Sequence, residues 1–121
     1  MYQFSKSSQK KLSTCHPFLQ EICNELIKEV DFTVLCGHRG QEEQNEAFVK
    51  GASKLQWPDS KHNSFPSKAV DIAPYPIDWN NHVRFKDLAS KFKAIAQHKN
   101  IQINWGGDFK SIVDMPHFEL Q

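Results

Sequence analysis

The feature that most restricts the fold of this chain is an apolar run with one acid inside it, Ala69-Val70-Asp71-Ile72-Ala73. It is reached through residues 51 to 68, where Gly, Pro, Ser, Asn and Trp57 follow one another without periodicity, which predicts a long loop. Loops of this length in compact domains usually carry function. The run itself is short and is closed by Pro74 and Pro76, so it reads as a strand. Strand alternation puts Asp71 on the face of Ala69 and opposite Val70 and Ile72. An acid turned away from the apolar side, beside a residue small enough to leave space, suits a ligand position.

Two imidazoles stand within reach of such a position in the chain. His62 lies in the loop, in Ser60-Lys61-His62-Asn63, and His117 lies in Asp114-Met115-Pro116-His117-Phe118 near the end. Two His and one Asp are a common ligand set for catalytic zinc, which keeps a fourth position for water. Asp114 would then be free to act on that water. Taken singly, each His is more often structural than a ligand. The helical HExxH motif is absent, so a zincin arrangement is excluded. Asp114 and His117 are three apart, which on a regular strand means opposite faces, and Pro116 opposes a helix interior. Both serve one site only if a turn or bulge intervenes.

The rest of the chain reads as scaffold. Ser5 or Ser7 caps a short helix through Leu12, and His16-Pro17 opens a longer one in which Leu19, Ile22, Cys23, Leu26, Ile27 and Val30 recur at helical spacing. His16 fits a helix entry better than a ligand. Phe32 to Cys36 is β-branched and apolar, a strand ending at Gly37. A polar helix from Gln41 to Lys50 follows, with Gly51 as its C-terminal cap. Arg39, between that strand and helix, either pairs on the surface with Glu42 or Glu43 or belongs to a site built at the strand end. Phe85, Leu88, Ala89, Phe92, Ile95 and Ala96 mark a further amphipathic helix, with His82 and His98 solvated at its polar ends. Ile101 to Trp105 alternates as a strand, Gly106-Gly107-Asp108 turns, and Pro116 to Leu120 makes a last strand. Helices with a mostly antiparallel sheet make an α+β domain, one domain over residues 1–121.

Composition narrows the partners. Net charge is +1, with acids and bases interspersed, so no electrostatic footprint for nucleic acid is expected. No apolar run approaches the roughly 18 residues of a membrane span. The start, Met1-Tyr2-Gln3-Phe4-Ser5-Lys6, lacks the apolar core of a signal peptide, and the expectation is a cytosolic product. Cys15, Cys23 and Cys36 are odd in number and have no CxxC spacing, so reduced thiols are expected, with Cys23 buried and inert on its helix face. Cys36 as a nucleophile beside a His is the weaker reading, because a metal set accounts for the histidines better.

Ser60-x-His62, Ala69-x-Asp71 and Asp114-x-x-His117 together resemble the pattern of the M15 family of zinc peptidases. That family includes D-alanyl-D-alanine carboxypeptidases and the L-alanyl-D-glutamate peptidases of phage endolysins. The resemblance extends to the His16-Pro17 helix entry, to Gly37-His38-Arg39 with Gln44 downstream, and to Trp105-Gly106-Gly107-Asp108. Two departures stand out. The His62 to Asp71 spacing is two residues longer than is usual, with Pro66-Ser67 where a Gly is common, and Gly-His-Arg-Gly replaces Gly-Tyr-Arg-Ser.

The resemblance implies a hedgehog/DD-peptidase-like α+β fold in which His62, Asp71 and His117 hold Zn²⁺. It makes Asp114 the general base, has Arg39 bind substrate or stabilise the developing oxyanion, and leaves Ser60 and Gln44 to support the ligands or contact substrate. The implied substrate is the peptidoglycan stem peptide, cut between L-Ala and D-Glu by a monomeric phage lysis enzyme. That enzyme would be made in the host cytoplasm and act on the wall once the membrane is permeabilised. D-Ala-D-Ala carboxypeptidase activity is the alternative within the enzyme class. A non-catalytic zinc-binding module, as in the related hedgehog signalling domain, is the alternative outside it. Retention of both Asp114 and Arg39 favours an enzyme.

Overall fold

The computed structural model describes residues 2–110 and 113–121, and among these the chain forms four α-helices and one four-stranded sheet. Helix α1 (Lys6–Leu12) begins at Ser5, whose hydroxyl accepts from the Ser8 N–H. Helix α2 (Pro17–Leu26) is capped by His16, whose Nδ1 accepts from the Phe18 N–H at 3.1 Å, and Pro17 occupies the first turn. The apolar series runs on to Val30, but α2 ends at Leu26 and residues 27–30 turn into strand β1 (Phe32–Cys36). Helix α3 (Gln41–Val49) follows, and Gly51 just past its end takes φ +79°, a conformation that glycine adopts at little cost.

The long loop is present as expected and leads into β2 (Ala69–Pro74). Helix α4 (His82–His98) comes next, with His82 and His98 both exposed. Strand β3 (Ile103–Trp105) starts two residues later than the alternation suggested, a 3₁₀ turn covers Gly106–Asp108, and β4 (His117–Leu120) ends the chain. The strands lie in the order β1-β2-β4-β3, and every neighbouring pair is antiparallel. The architecture is the expected α+β one.

Helices α2 and α4 supply the core. Leu19, Ile22, Cys23 and Leu26 of α2 and Phe92 of α4 are buried with Val34, Val70, Ile72 and Phe118 of the sheet. Phe92 and Phe118 stack with ring centres 4.1 Å apart. Burying each such side chain fully is worth about 1.5–3 kcal/mol. Cys23 is fully buried, and burial pushes its thiol far up, as suits an inert core residue.

The period of two decides what faces the other way. In β4, Phe118 and Leu120 join the core, so His117 and Glu119 point to the opposite face. In β2, Val70 and Ile72 join the core and Asp71 alternates with them. Ala69 and Ala73 are also fully buried, so β2 is a central strand enclosed on both faces, with Asp71 its one partly open position.

Candidate metal centre and cleft

Three donors line up across three adjacent strands. Asp71 of β2 is paired with His117 of β4 on one side and with Cys36 of β1 on the other. The Cys36 pairing depends on a register shift: Thr33 opposes Ala73 and Val34 opposes Ile72, but Cys36 rather than Leu35 opposes Asp71. A bulge of this kind re-aims a side chain, and here it brings the thiol to the face of Asp71 and His117.

His62 comes down onto that row from the loop. Its N–H is accepted by Ser60 Oγ at 3.2 Å, its carbonyl accepts from the Arg39 N–H at 2.8 Å, and only 2 % of the residue is exposed. The Lys68 N–H donates to the Lys61 carbonyl at 3.0 Å and closes the base of the segment between them. The extra length of the His62 to Asp71 connection therefore loops outward, with Phe65 exposed and edge-on to His38 at 5.3 Å. His38 Nδ1 donates to the Ser64 carbonyl at 3.0 Å, so this ring braces the lengthened loop.

The two imidazoles converge on one oxygen. His62 Nε2 lies 3.2 Å and His117 Nδ1 3.0 Å from Asp71 Oδ1. Their other nitrogens are tied back: His62 Nδ1 donates to the Gly37 carbonyl at 2.7 Å and His117 Nε2 donates to Glu119 Oε1 at 2.8 Å. A carbonyl can only accept, so it fixes the proton on Nδ1 and leaves Nε2 of His62 to face the site. Glu119 does the same for His117 from the other side, and Lys61 Nζ holds the second Glu119 oxygen at 3.1 Å. Outer partners of this kind orient metal-binding imidazoles. Cys36 Sγ, a His62 nitrogen and an Asp71 oxygen all lie within 4.8 Å of one another, so these three could hold a metal ion; His117 stands outside that mutual distance and joins them through its 3.0 Å contact with Asp71.

The charges of these groups follow from the contacts. Burial by itself would push His62 and His117 down, but hydrogen bonds to Asp71, joined by Cys36 at His62 and by Glu119 at His117, outweigh it and bring them to about 10 and about 9. Burial likewise pushes Asp71 up, and the two imidazoles reverse this and hold its carboxyl well below the usual range. The His117 hydrogen bond, with help from Lys61, brings Glu119 down to about 2. Asp114 moves the other way, raised first by burial and then by the negative charge of Asp71.

Arg39 reaches the same face. Its Nη2 is 3.8 Å from Asp71 Oδ2 and donates to Cys36 Sγ at 3.6 Å, while Nη1 donates to Gln44 Oε1 at 3.0 Å. The surface pairing with Glu42 or Glu43 is not formed. Gln44, in α3, is fully buried and touches Arg39 rather than open space. Its Oε1 also accepts from Asn63 Nδ2 at 3.1 Å, and its Nε2 donates to Ser53 Oγ and to the Leu55 carbonyl. Arg39 and the His62 loop thus share one buried amide as their support.

Asp114 enters by a turn, the condition that the sequence spacing set. The His117 N–H donates to the Asp114 carbonyl at 3.1 Å, which brings both side chains to one cavity of about 560 Å³ with Arg39, Ser60, His62 and Asp71. The end of β3 holds this turn. The Asp114 N–H donates to the Gly106 carbonyl at 2.9 Å, and Trp105 Nε1 donates to the Met115 carbonyl at 2.7 Å. A Cβ at position 106 would overlap the Asp114 carbonyl, so glycine is required there. A larger hollow of about 940 Å³ between α4 and β3 is lined by Lys93, Trp105 and Asp108, and chemistry rather than size selects the smaller one.

Residues 1–120 match the family model described as phage L-alanyl-D-glutamate peptidase. The chain is 30 % identical, over 125 residues, to the L-alanyl-D-glutamate peptidase of Escherichia phage T5, covering 99 % of this chain and 90 % of that protein. Among solved structures, the Serratia marcescens L-Ala D-Glu endopeptidase ChiX superposes with a TM-score of 0.83 at 26 % identity, covering 98 % of this chain and 90 % of that one. The match is nearly full length and the fold is shared, so this chain belongs to the phage L-alanyl-D-glutamate peptidase family and is a peptidoglycan peptidase.

Proposed function

We propose that the cleft is a zinc site in which His62 Nε2, Asp71 and His117 Nδ1 are the ligands, and that the enzyme cuts the L-Ala–D-Glu bond of the stem peptide. The observation that carries this reading is the convergence of two imidazole nitrogens on one Asp71 oxygen, each ring held from behind by an acceptor. Bound zinc would supply a Lewis acid that lowers the pKa of a coordinated water towards about 7. The chain supplies the rest. Asp114, with its carboxyl raised by burial, accepts the proton of the attacking water and can return it to the leaving amine. Arg39, pre-oriented by Gln44, presents its planar fork to the scissile carbonyl and stabilises the charge that forms there. Ser60 holds the His62 backbone in place.

The bond assignment rests on the family and on the relatives named above. No described helix is long and apolar enough to cross a membrane. We read the chain as a monomeric enzyme made in the host cytoplasm that reaches the wall after the inner membrane is breached. The test is digestion of purified peptidoglycan, with the new termini identified by mass spectrometry and the metal measured in the same preparation. Free L-Ala carboxyl and D-Glu amino termini, with one zinc per chain, are expected. Release of terminal D-Ala instead would make the enzyme a carboxypeptidase.

A further inference from the structure

The bulge in β1 has a chemical consequence. A regular ladder would set Leu35 opposite Asp71 and leave the site a plain His–Asp–His set. The register shift after Val34 puts Cys36 there instead, in one row with Asp71 and His117 across β1, β2 and β4. Its Sγ lies within 4.8 Å of donor atoms of both His62 and Asp71, while Arg39 Nη2 stands 3.6 Å from the sulfur. The residue is only partly exposed, on the strand that flanks β2 on the side opposite β4. Cys15 and Cys23 are buried among apolar side chains, and Cys36 alone of the three thiols has this surrounding.

We propose that Cys36 is a fourth protein donor to the ion, giving a Cys–His–Asp–His set that prefers a thiophilic divalent metal. This rests on the zinc reading above. On binding, the thiol gives its proton to solvent and coordinates as thiolate, since a metal-bound thiol is deprotonated. The Arg39 guanidinium then lies against a sulfur anion and offsets its charge. Four protein donors characterise closed zinc sites, whereas catalytic ones keep a position open. An ion held by all four would have to accept the water that Asp114 deprotonates as a fifth donor, an expansion that zinc tolerates. Arg39 would couple the sulfur to the substrate, because the guanidinium that meets the substrate is the one that steadies the sulfur.

The test is cobalt(II) titration of the metal-free full-length chain, as wild type and as Cys36→Ser. Wild type should show both the visible ligand-field bands of a low-coordinate cobalt site and a near-ultraviolet thiolate-to-cobalt charge-transfer band. Cys36→Ser should keep the visible bands, lose the charge-transfer band, and bind zinc at least roughly tenfold more weakly, the lower bound of what losing even an outer partner costs. Visible bands without the charge-transfer band in wild type would overturn the proposal and leave the three-ligand site standing. Absence of any cobalt or zinc binding would overturn the metal reading itself. Alkylation of the wild type, mapped by mass spectrometry, covers the case in which Cys36→Ser does not fold. Zinc should protect Cys36 from a maleimide, and equal labelling with and without zinc would overturn its role as a donor.

Discussion

His117 Nε2 donates to Glu119 Oε1 at 2.8 Å, so on one face of β4 a proposed zinc ligand is braced from two residues away. Glu119 is in turn held by Lys61, the neighbour of His62, which ties the two imidazole-bearing segments together. Removing the brace with Glu119→Ala should weaken zinc binding by about 10–100-fold, measured by competition with a chromogenic chelator. Glu119→Gln, whose amide oxygen still accepts from Nε2, should recover most of that affinity. Equal zinc affinity in all three proteins would show that His117 needs no brace.

Asp114 separates an enzyme from a metal-binding module. Asp114→Asn is nearly isosteric, should retain zinc and fold, and should lower the turnover rate by about 10²–10⁴-fold. Loss of zinc in this variant would make Asp114 a ligand, and full peptidoglycan hydrolysis would place the base elsewhere.

Gly106 gives Asp114 its position. Gly106→Ala forces the Asp114 carbonyl to move, and crowding of a packed site typically costs about 1–3 kcal/mol. A fall in Tm of several degrees is expected, with a fall in kcat and little change in zinc stoichiometry. Gly40→Ala, where the added Cβ meets only the end of the Glu43 side chain, is the control and should leave all three nearly unchanged.

The metal-free site should be pH-sensitive in a defined direction. Both rings have each nitrogen facing an acceptor, so both are imidazolium when no ion is bound, with pKa values of about 10 and about 9. Groups raised above their ordinary value stabilise the fold fully below about pH 6.5 and lose that contribution as pH rises through the folded values. Urea denaturation of chelator-treated protein should therefore show stability falling between about pH 8 and pH 10. Zinc binding near neutral pH should release up to about two protons from the rings, beside the one from the Cys36 thiol, so the dependence of calorimetric heat on buffer ionisation is read in Cys36→Ser. A heat independent of buffer in that variant would show that the rings are neutral before the ion arrives.

Local signals carried much of this protein. His16 before Pro17, the period of α2 and α4, the alternation in β4 and the apolar run of β2 are read within a few residues, and each element stands where they point. The candidate donors His62, Asp71 and His117 and the acid Asp114 were legible for the same reason, since each sits on a short motif beside a strand or in a loop. The Glu119 brace also had a local sign, two residues from His117 on one strand face, though nothing nearby said which acceptor the ring would take.

The tertiary structure decided the rest, because it depends on register and on contacts between distant segments. A one-residue shift in β1 chose Cys36 over Leu35 as the neighbour of Asp71, and regular alternation cannot foresee a bulge. Arg39 turned from Glu42 and Glu43 to Gln44 and Asp71 because α3 packs beneath the His62 loop and buries an amide there. Gly106 and Asp114 meet backbone to backbone, and no side-chain pattern records such a contact. The residue types that could do the chemistry were set by the sequence alone. Which of them face one another was settled only when four antiparallel strands closed in a single register.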